Sequence, residues 1–503
     1  MFRLPKLNPE ADTPLYRQLY EYLREEILSG RLPQGEKIPP TRDLAVQLGL
    51  NRMTISSAYE LLESEGLIRT HVGRGSFVTA PAELFADLAM ASTGASFDWE
   101  KRFAPWFPAE APAPGAQAAA EASISFAANR PCEQLFPIVA FQESCREVLL
   151  SPEVASILQL GSAYGYPPLR RYLTEEGRAH GLLTPEDDVL ITNGCQQALD
   201  LLQRLLVRPG ESVLVEDPIY PGLRNVFAHA GVRLIGAPVG PRGLDIDSAT
   251  RLVRSERPRL LVVTPNFQNP TGTTMPEASR RQLLRVARDA ALPVVENDIY
   301  GDLRYSGQPL PTLKEMDENG LVVQVKSFSK LAFPGLRVGW VTGARALIRR
   351  LAELKQYTDL HTGHLAQAVL LRFAESGRLE AHRRRMIEAG RTRLEATLNG
   401  CARHLPAGTR FTRPEGGMNL WVRLPEPLDA AALLEKAQRE GVAYQPGVVF
   451  EVAQRQPGGL RLSFAGLPEE RIERGLAILG QVFHNGLEQA RASGRAETAP
   501  AIV

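Results

Sequence analysis

Four cysteines in 503 residues, Cys132, Cys145, Cys195 and Cys401, are too few and too scattered for a disulfide framework. None forms a CxxC pair, which argues against a thiolate zinc site and leaves no metal centre to expect. No apolar run is long enough to span a bilayer, and the opening "MFRLPKLNPEADTPL" has acids and prolines where a signal peptide needs an apolar stretch. A chain free of membrane and kept in a reducing cytoplasm is the expectation. Charge of either sign is also missing in excess: 58 Lys and Arg oppose 57 Asp and Glu, so no global field draws the protein to nucleic acid or membrane. Any such partner must be recognised by local arrangement.

The 44% hydrophobic and 23% charged fractions are those of a folded globular protein, and the length exceeds one ordinary core. Residues 13–80 read as one compact unit. "PLYRQLYEYLREEILSGRL" carries a helical apolar stripe that Gly30 ends, and two short helices at about 41–48 and 52–65 meet through Gly49-Leu50-Asn51. This is helix-turn-helix punctuation, and "LIRTHVGRGSFVTA" follows as two strands around a Gly-Arg-Gly turn. Residues 81–120 turn to Ala, Pro, Glu and Gly without periodicity, as a semi-stiff linker does. From 121 to 485, runs such as "DDVLITNG", "ESVLVEDP", "RLLVVTPN", "LPVVEND" and "LVVQVKSFS" alternate with amphipathic helices. That pattern predicts an α/β domain with a mostly parallel sheet, and a frayed tail is expected at 486–503.

Several of these strands end in polar residues, where open α/β sheets bind ligands. "ITNGCQQALDLL" passes from strand to helix, so the amides of Gly194, Cys195 and Gln196 would sit at a helix N-terminus able to hold a phosphate. Tyr220 follows "EDPI" and is either a ring for stacking on a planar group or a core tyrosine. Asn269 precedes Pro-Thr-Gly, which by itself is also a plain turn. In "VKSFSKLAFPGLRVGW" a single Lys330 offers a primary amine for a Schiff base, with Arg337 seven positions on.

Taken in order, Gly-x-Gln-x-Ala-Leu, Asp-Pro-x-Tyr, Asn-Pro-Thr-Gly, Asp-x-Tyr, Ser-Phe-Ser-Lys, Arg-Val-Gly and the late "LRLSFA" resemble the fold-type I pyridoxal-phosphate aminotransferases over residues 121–485. The resemblance implies a smaller C-terminal α+β subdomain at about 375–485. It implies that Lys330 carries the cofactor and that Arg337, Ser327 and the amides near Cys195 and Gln196 bind its phosphate. Tyr220 would stack on its ring, and Asn269 and Tyr300 would bond its hydroxyl. Arg461, in "GGLRLSFAG", would clasp an amino-acid carboxylate through its planar fork.

Two departures qualify the likeness. The family's aspartate for the pyridine nitrogen, three positions before the tyrosine, is Asn297 in "VVENDIYGDLRY", with Asp298 one step later. Strand alternation makes the two registers inequivalent, and an asparagine weakens the electron sink behind transamination. Leu160 stands where relatives carry a tyrosine reaching a neighbouring subunit's phosphate, with Tyr164 and Tyr166 nearby.

The first unit resembles the GntR-type winged helix-turn-helix, carried by "IPPTRDLAVQLGLNRMTISSAYELLESEGLI" and the wing "VGRGSFV". Acids and bases balance across it, so only arrangement marks it as a DNA reader. On this resemblance Arg42 would meet phosphate, and Asn51, Arg52, Thr54 and Ser56 would face the major groove. His71 and Arg74 would touch backbone or minor groove from the wing. Reader, linker and aminotransferase-like domain together resemble the MocR subfamily of bacterial regulators. That implies a homodimer, head-to-tail in the family, which binds double-stranded operator DNA and senses an amino acid, an amine or pyridoxal phosphate itself through exchange at Lys330. The competing expectation is a working aminotransferase with a winged domain attached.

Overall fold

In the computed structural model the described residues are 13–71, 75–79, 122–453 and 455–497, with a few positions before residue 13. The linker expected at 81–120, and Arg74 of the wing, lie outside them. The chain divides into two compact units, Met1–Pro108 and Ala109–Val503.

In the first unit three helices, Leu15–Leu28, Thr41–Leu48 and Arg52–Ser64, pack with a three-stranded antiparallel sheet. In that sheet Gly75–Val78 lies between Lys37–Ile38 and Ile68–His71. The helical stripe read from the sequence becomes the core: Leu19, Leu23 and Ile27 bury against Leu44, Ile55, Tyr59 and Leu62. Gly49 ends the second helix in the left-handed conformation, φ 65°, which a side chain would resist, and Asn51 starts the third by accepting the Met53 N–H at 3.0 Å.

The second unit is built on an eight-stranded sheet. Its order is Asp187–Thr192, Gly339–Ala344, Val322–Ser327, Val294–Asn297, Leu260–Val263, Ser212–Asp217, Arg233–Gly240 and Gly243–Leu244. Gly339–Ala344 runs antiparallel to both neighbours, as Gly243–Leu244 does to its one, and the remaining pairs are parallel. The central strands are apolar throughout because helices cover both faces. One face packs Val213, Val215, Val295 and Val325 against the helices Gly194–Leu206 and Arg345–Asp359. The other packs Leu214, Leu261, Val263 and Val294 against Ile246–Glu256 and Glu277–Asp289.

A four-stranded antiparallel sheet, with Asn419–Arg423 and Gly459–Ser463 at its centre, forms the smaller C-terminal part with the helices Arg378–His404 and Glu469–Glu497. Ile124–Ser125 joins it too, pairing with Val442–Ala443, a contribution from the start of the domain that the sequence reading did not include. The tail expected to fray from residue 486 is instead helical as far as Glu497. Its Leu487 is buried in the core and its Gln489 accepts from Lys436 Nζ, so the helix is held where composition suggested only decay. No helix among the described residues is long and apolar enough to cross a membrane.

Candidate functional sites

The sheet gathers the predicted residues along one edge. Five strands running in the same direction end at Thr192, Asp217, Val263, Asn297 and Ser327, and the antiparallel strand starts there at Gly339. Gly194, Tyr220, Asn269, Tyr300, Lys330 and Arg337 therefore all lie in loops just beyond that edge.

Lys330 closes a short 3₁₀ turn, and Ser327 caps this turn by accepting the Ser329 N–H at 3.1 Å. The Ser327 hydroxyl also lies 3.1 Å from the Val338 carbonyl, so its first role is to shape the lysine turn. Lys330 Nζ donates to the Asn129 carbonyl at 2.6 Å and stands 5.9 Å from the Tyr300 ring centre. Burial, reinforced by the positive charges of Arg461 and Arg337 and partly opposed by Cys195, pulls its pKa down to about 8. The amine is thus far closer to its neutral, nucleophilic form at physiological pH than an exposed lysine.

Arg337, itself at φ 55°, lays its guanidinium against the first residue of the helix Gly194–Leu206. A Cβ on Gly194 would come within 2.4 Å of Arg337 Nη2, so this approach requires glycine. Helix amides and guanidinium together form a cradle for a dianion. Gln196 turns its side chain away to the Gly222 carbonyl at 3.1 Å, leaving its backbone for the cradle. Tyr220 caps the next helix; burial raises the pKa of its phenol, within the field of Tyr300, Cys195, Arg461 and Arg337.

Tyr300, fully buried, accepts from Asn129 Nδ2 at 2.7 Å and from Asn269 Nδ2 at 3.2 Å. Asn269 Oδ1 in turn accepts from Arg461 Nη1 at 3.1 Å, and Arg461 Nη2 donates to the Ala127 carbonyl at 2.6 Å. Arg461 Nε is buried without a partner, and burial lowers the pKa of the guanidinium to about 10.

The register at Asn297 and Asp298 follows from the two faces. Val295 packs on the side of Cys195 and Tyr220, and Asn297, two residues on, shares that face. Asp298 points to the other, where it accepts from Asn266 Nδ2 at 2.8 Å and lies 3.6 Å from Lys326 Nζ. Asn297 Nδ2 reaches Thr264 Oγ1 at 3.4 Å, while its Oδ1 is buried and unpartnered. A buried amide oxygen left open beside this cluster fits a planar ligand that brings its own hydrogen-bonding nitrogen.

Sequence reasoning missed Asn129 and Thr264. Asn129 acts on Lys330 through a main-chain carbonyl from 201 positions away, for which no motif exists, whereas Thr264 was visible as the polar end of "RLLVVT". Leu160 is 73% exposed; Tyr164 carries the Arg170 guanidinium 4.8 Å from its ring centre, and Tyr166 packs on His364.

In the first unit Arg42 and Arg52 are exposed at the starts of the second and third helices, with Ser56 one turn beyond Arg52 and Thr54 half-buried. Asn51 spends its side-chain oxygen on the helix cap. The late acids of the third helix are tied down elsewhere: Glu63 accepts from the Thr70 N–H at 2.9 Å and Glu65 pairs with Arg24 at 3.2 Å. His71 ends the strand Ile68–His71, pairing with Gly75 across the wing.

Residues 140–479 match the model of aminotransferase class I and II, and residues 15–78 that of the bacterial regulatory proteins of the gntR family. A probable rhizopine catabolism regulatory protein, MocR, of Rhizobium meliloti is 30% identical over 95% of this chain and 95% of its own. A 2-aminoadipate transaminase of Thermus thermophilus is 38% identical over 72% of this chain and 90% of its own. The crystal structure of Pyrococcus horikoshii kynurenine aminotransferase in complex with PMP superposes with a TM-score of 0.74 at 32% identity, covering 78% of this chain and 98% of that one.

Proposed function

The chain belongs to the MocR-type regulators, a gntR-family helix-turn-helix joined to a class I and II aminotransferase domain, and from that premise we propose that it is a pyridoxal-phosphate-dependent, DNA-binding transcriptional regulator responding to an amino acid or amine. The observation that carries this reading is Asn297, on the cofactor face with an unpartnered Oδ1, where a catalytic aminotransferase needs a carboxylate.

The cofactor, when bound, supplies an aldehyde that exchanges one amine for another. Lys330 holds it through Nζ; Arg337 and the amides of Gly194, Cys195 and Gln196 hold its phosphate; Tyr220 stacks on its ring. Tyr300 and Asn269 bond its hydroxyl, and Asn297 meets its nitrogen. Arg461 receives the effector's carboxylate through its fork, so an amino acid is held at two points and an amine at one. The effector switches the protein by binding its two conformations unequally.

Arg42, Arg52, Thr54, Ser56, His71 and Arg74 contact operator DNA in the cytoplasm, with Asn51 positioning the recognition helix. The functional unit is a homodimer, head-to-tail as in the family. An exposed apolar set, Leu149, Leu150, Leu158 and Leu160, supports a second copy of the chain against the large domain. A gel shift on DNA upstream of the chain's own gene, with and without pyridoxal phosphate and amino acids, tests the reading. Retarded DNA whose affinity ignores both additions would defeat it.

A second reading, a working aminotransferase with an appended reader, is favoured by the intact Lys330, Asn269, Tyr300 and Arg461 network. Sustained keto-acid production over many turnovers from an amino acid and an acceptor would decide for it.

A further inference from the structure

A cleft of about 740 Å³ opens in the second unit between the strand Arg410–Phe411 with its following loop and the Thr271–Thr274 loop. Neither Lys330, Tyr220, Asn269 nor Arg461 lines it. Its charge is one-sided. Arg410 and Arg423 are direct partners across an antiparallel pair, so both side chains leave the same face, an arrangement that repels. Arg413 adds a third guanidinium, stacked 5.4 Å over Phe411. Among the described residues no carboxylate pairs with any of the three. The two acids of the cleft are engaged: Glu415 with Arg304 at 2.5 Å and Glu277 with Arg281 at 2.6 Å.

The floor is apolar, with Trp421 only 8% exposed beside Phe411 and Leu310. We propose that this cleft is a second ligand site, for a small organic anion whose phosphate or carboxylate head sits among Arg410, Arg413 and Arg423 and whose apolar or aromatic body lies on Trp421. The volume suits such a molecule. Occupancy is transmitted to the first site by short links. Thr412 Oγ1 donates to the Thr271 carbonyl at 2.7 Å, two residues from Asn269, and Trp421 is the cross-strand partner of Arg461.

Calorimetric titration of phenyl phosphate into the full chain, saturated with pyridoxal phosphate so that the first site is filled, tests this at low salt. One equivalent per chain is expected, weakened about tenfold or more in R410Q/R423Q and absent for benzyl alcohol, which lacks the charge. Benzoate in place of phenyl phosphate reads the preference for head group. R410Q/R423Q is expected to melt no lower than the parent, since it removes a like-charge pair; if it does not fold, R413Q serves in its place. No binding of either anion, or binding unchanged in these variants, overturns the proposal. So does a result in which the variants lose affinity for short duplex DNA while phenyl phosphate never binds, which would make the arginines a backbone contact instead.

Discussion

Asn297 and Asp298 are consecutive in the chain yet face opposite sides of the central sheet, the first toward Tyr220 and Cys195, the second toward Lys326 and Asn266. The single carboxylate of the pair is therefore spent on a buried ion pair and not on the cofactor. Asn297→Asp should place a carboxylate beside the ring nitrogen, favour its protonated form and speed the single-turnover reaction with an amino acid by about tenfold or more. Stopped-flow absorbance of the cofactor-loaded protein reads this directly; an unchanged rate would separate Asn297 from the ring. Asp298→Asn should leave that rate alone and instead cost about 3 kcal/mol of stability, because Lys326 keeps a buried charge with only Asp302 to answer it.

Lys330 gives a pH prediction. Its amine titrates near 8 because burial and two guanidinium charges disfavour the cation, so the neutral fraction grows as pH rises and saturates above that value. The rate at which the cofactor-free protein captures pyridoxal phosphate should therefore climb about tenfold per pH unit below 7 and flatten above 8. A profile still climbing at pH 10 would mean that the lysine behaves as an ordinary exposed one.

Much of this was legible in the sequence, for reasons that also mark the limit. Strands such as Val322–Ser327 and Ser212–Asp217 are buried on both faces, and their β-branched runs announce them. The recognition helix shows itself through Gly49 and Asn51, whose conformational and capping roles are local. What stayed hidden depends on contacts distant in sequence. The face of Asn297 follows only from which helices cover Val294 and Val295, and the anchoring of Lys330 depends on a main-chain carbonyl at Asn129. The helical end of the chain was misjudged because Leu487 finds a core that composition cannot report.

Arg461 separates cofactor from effector. Its guanidinium already serves Asn269 and the Ala127 carbonyl, and only Nε lacks a buried partner. Arg461→Lys should preserve a charge but lose the fork, weakening the response to amino acids by about tenfold or more while amines without a carboxylate respond as before. Cofactor absorbance titrated with matched amino acid and amine pairs provides the comparison, and an equal loss for both would reassign the residue to packing.

Two neighbours at the start of the recognition helix should fail in different ways. Arg52 is exposed and bears on DNA, so Arg52→Ala should lower affinity for promoter DNA and, if it meets phosphate, reduce the slope of log affinity against log salt by about 0.9. The fold should be untouched. Asn51 accepts the Met53 N–H, so Asn51→Ala removes the cap and costs about 1 kcal/mol of helix stability. Hydrogen exchange across residues 41–64 should quicken about fivefold in that variant, and DNA affinity should fall with little change in salt slope. If Asn51→Ala instead changed base preference with exchange unaltered, the asparagine would be a reader and not a cap.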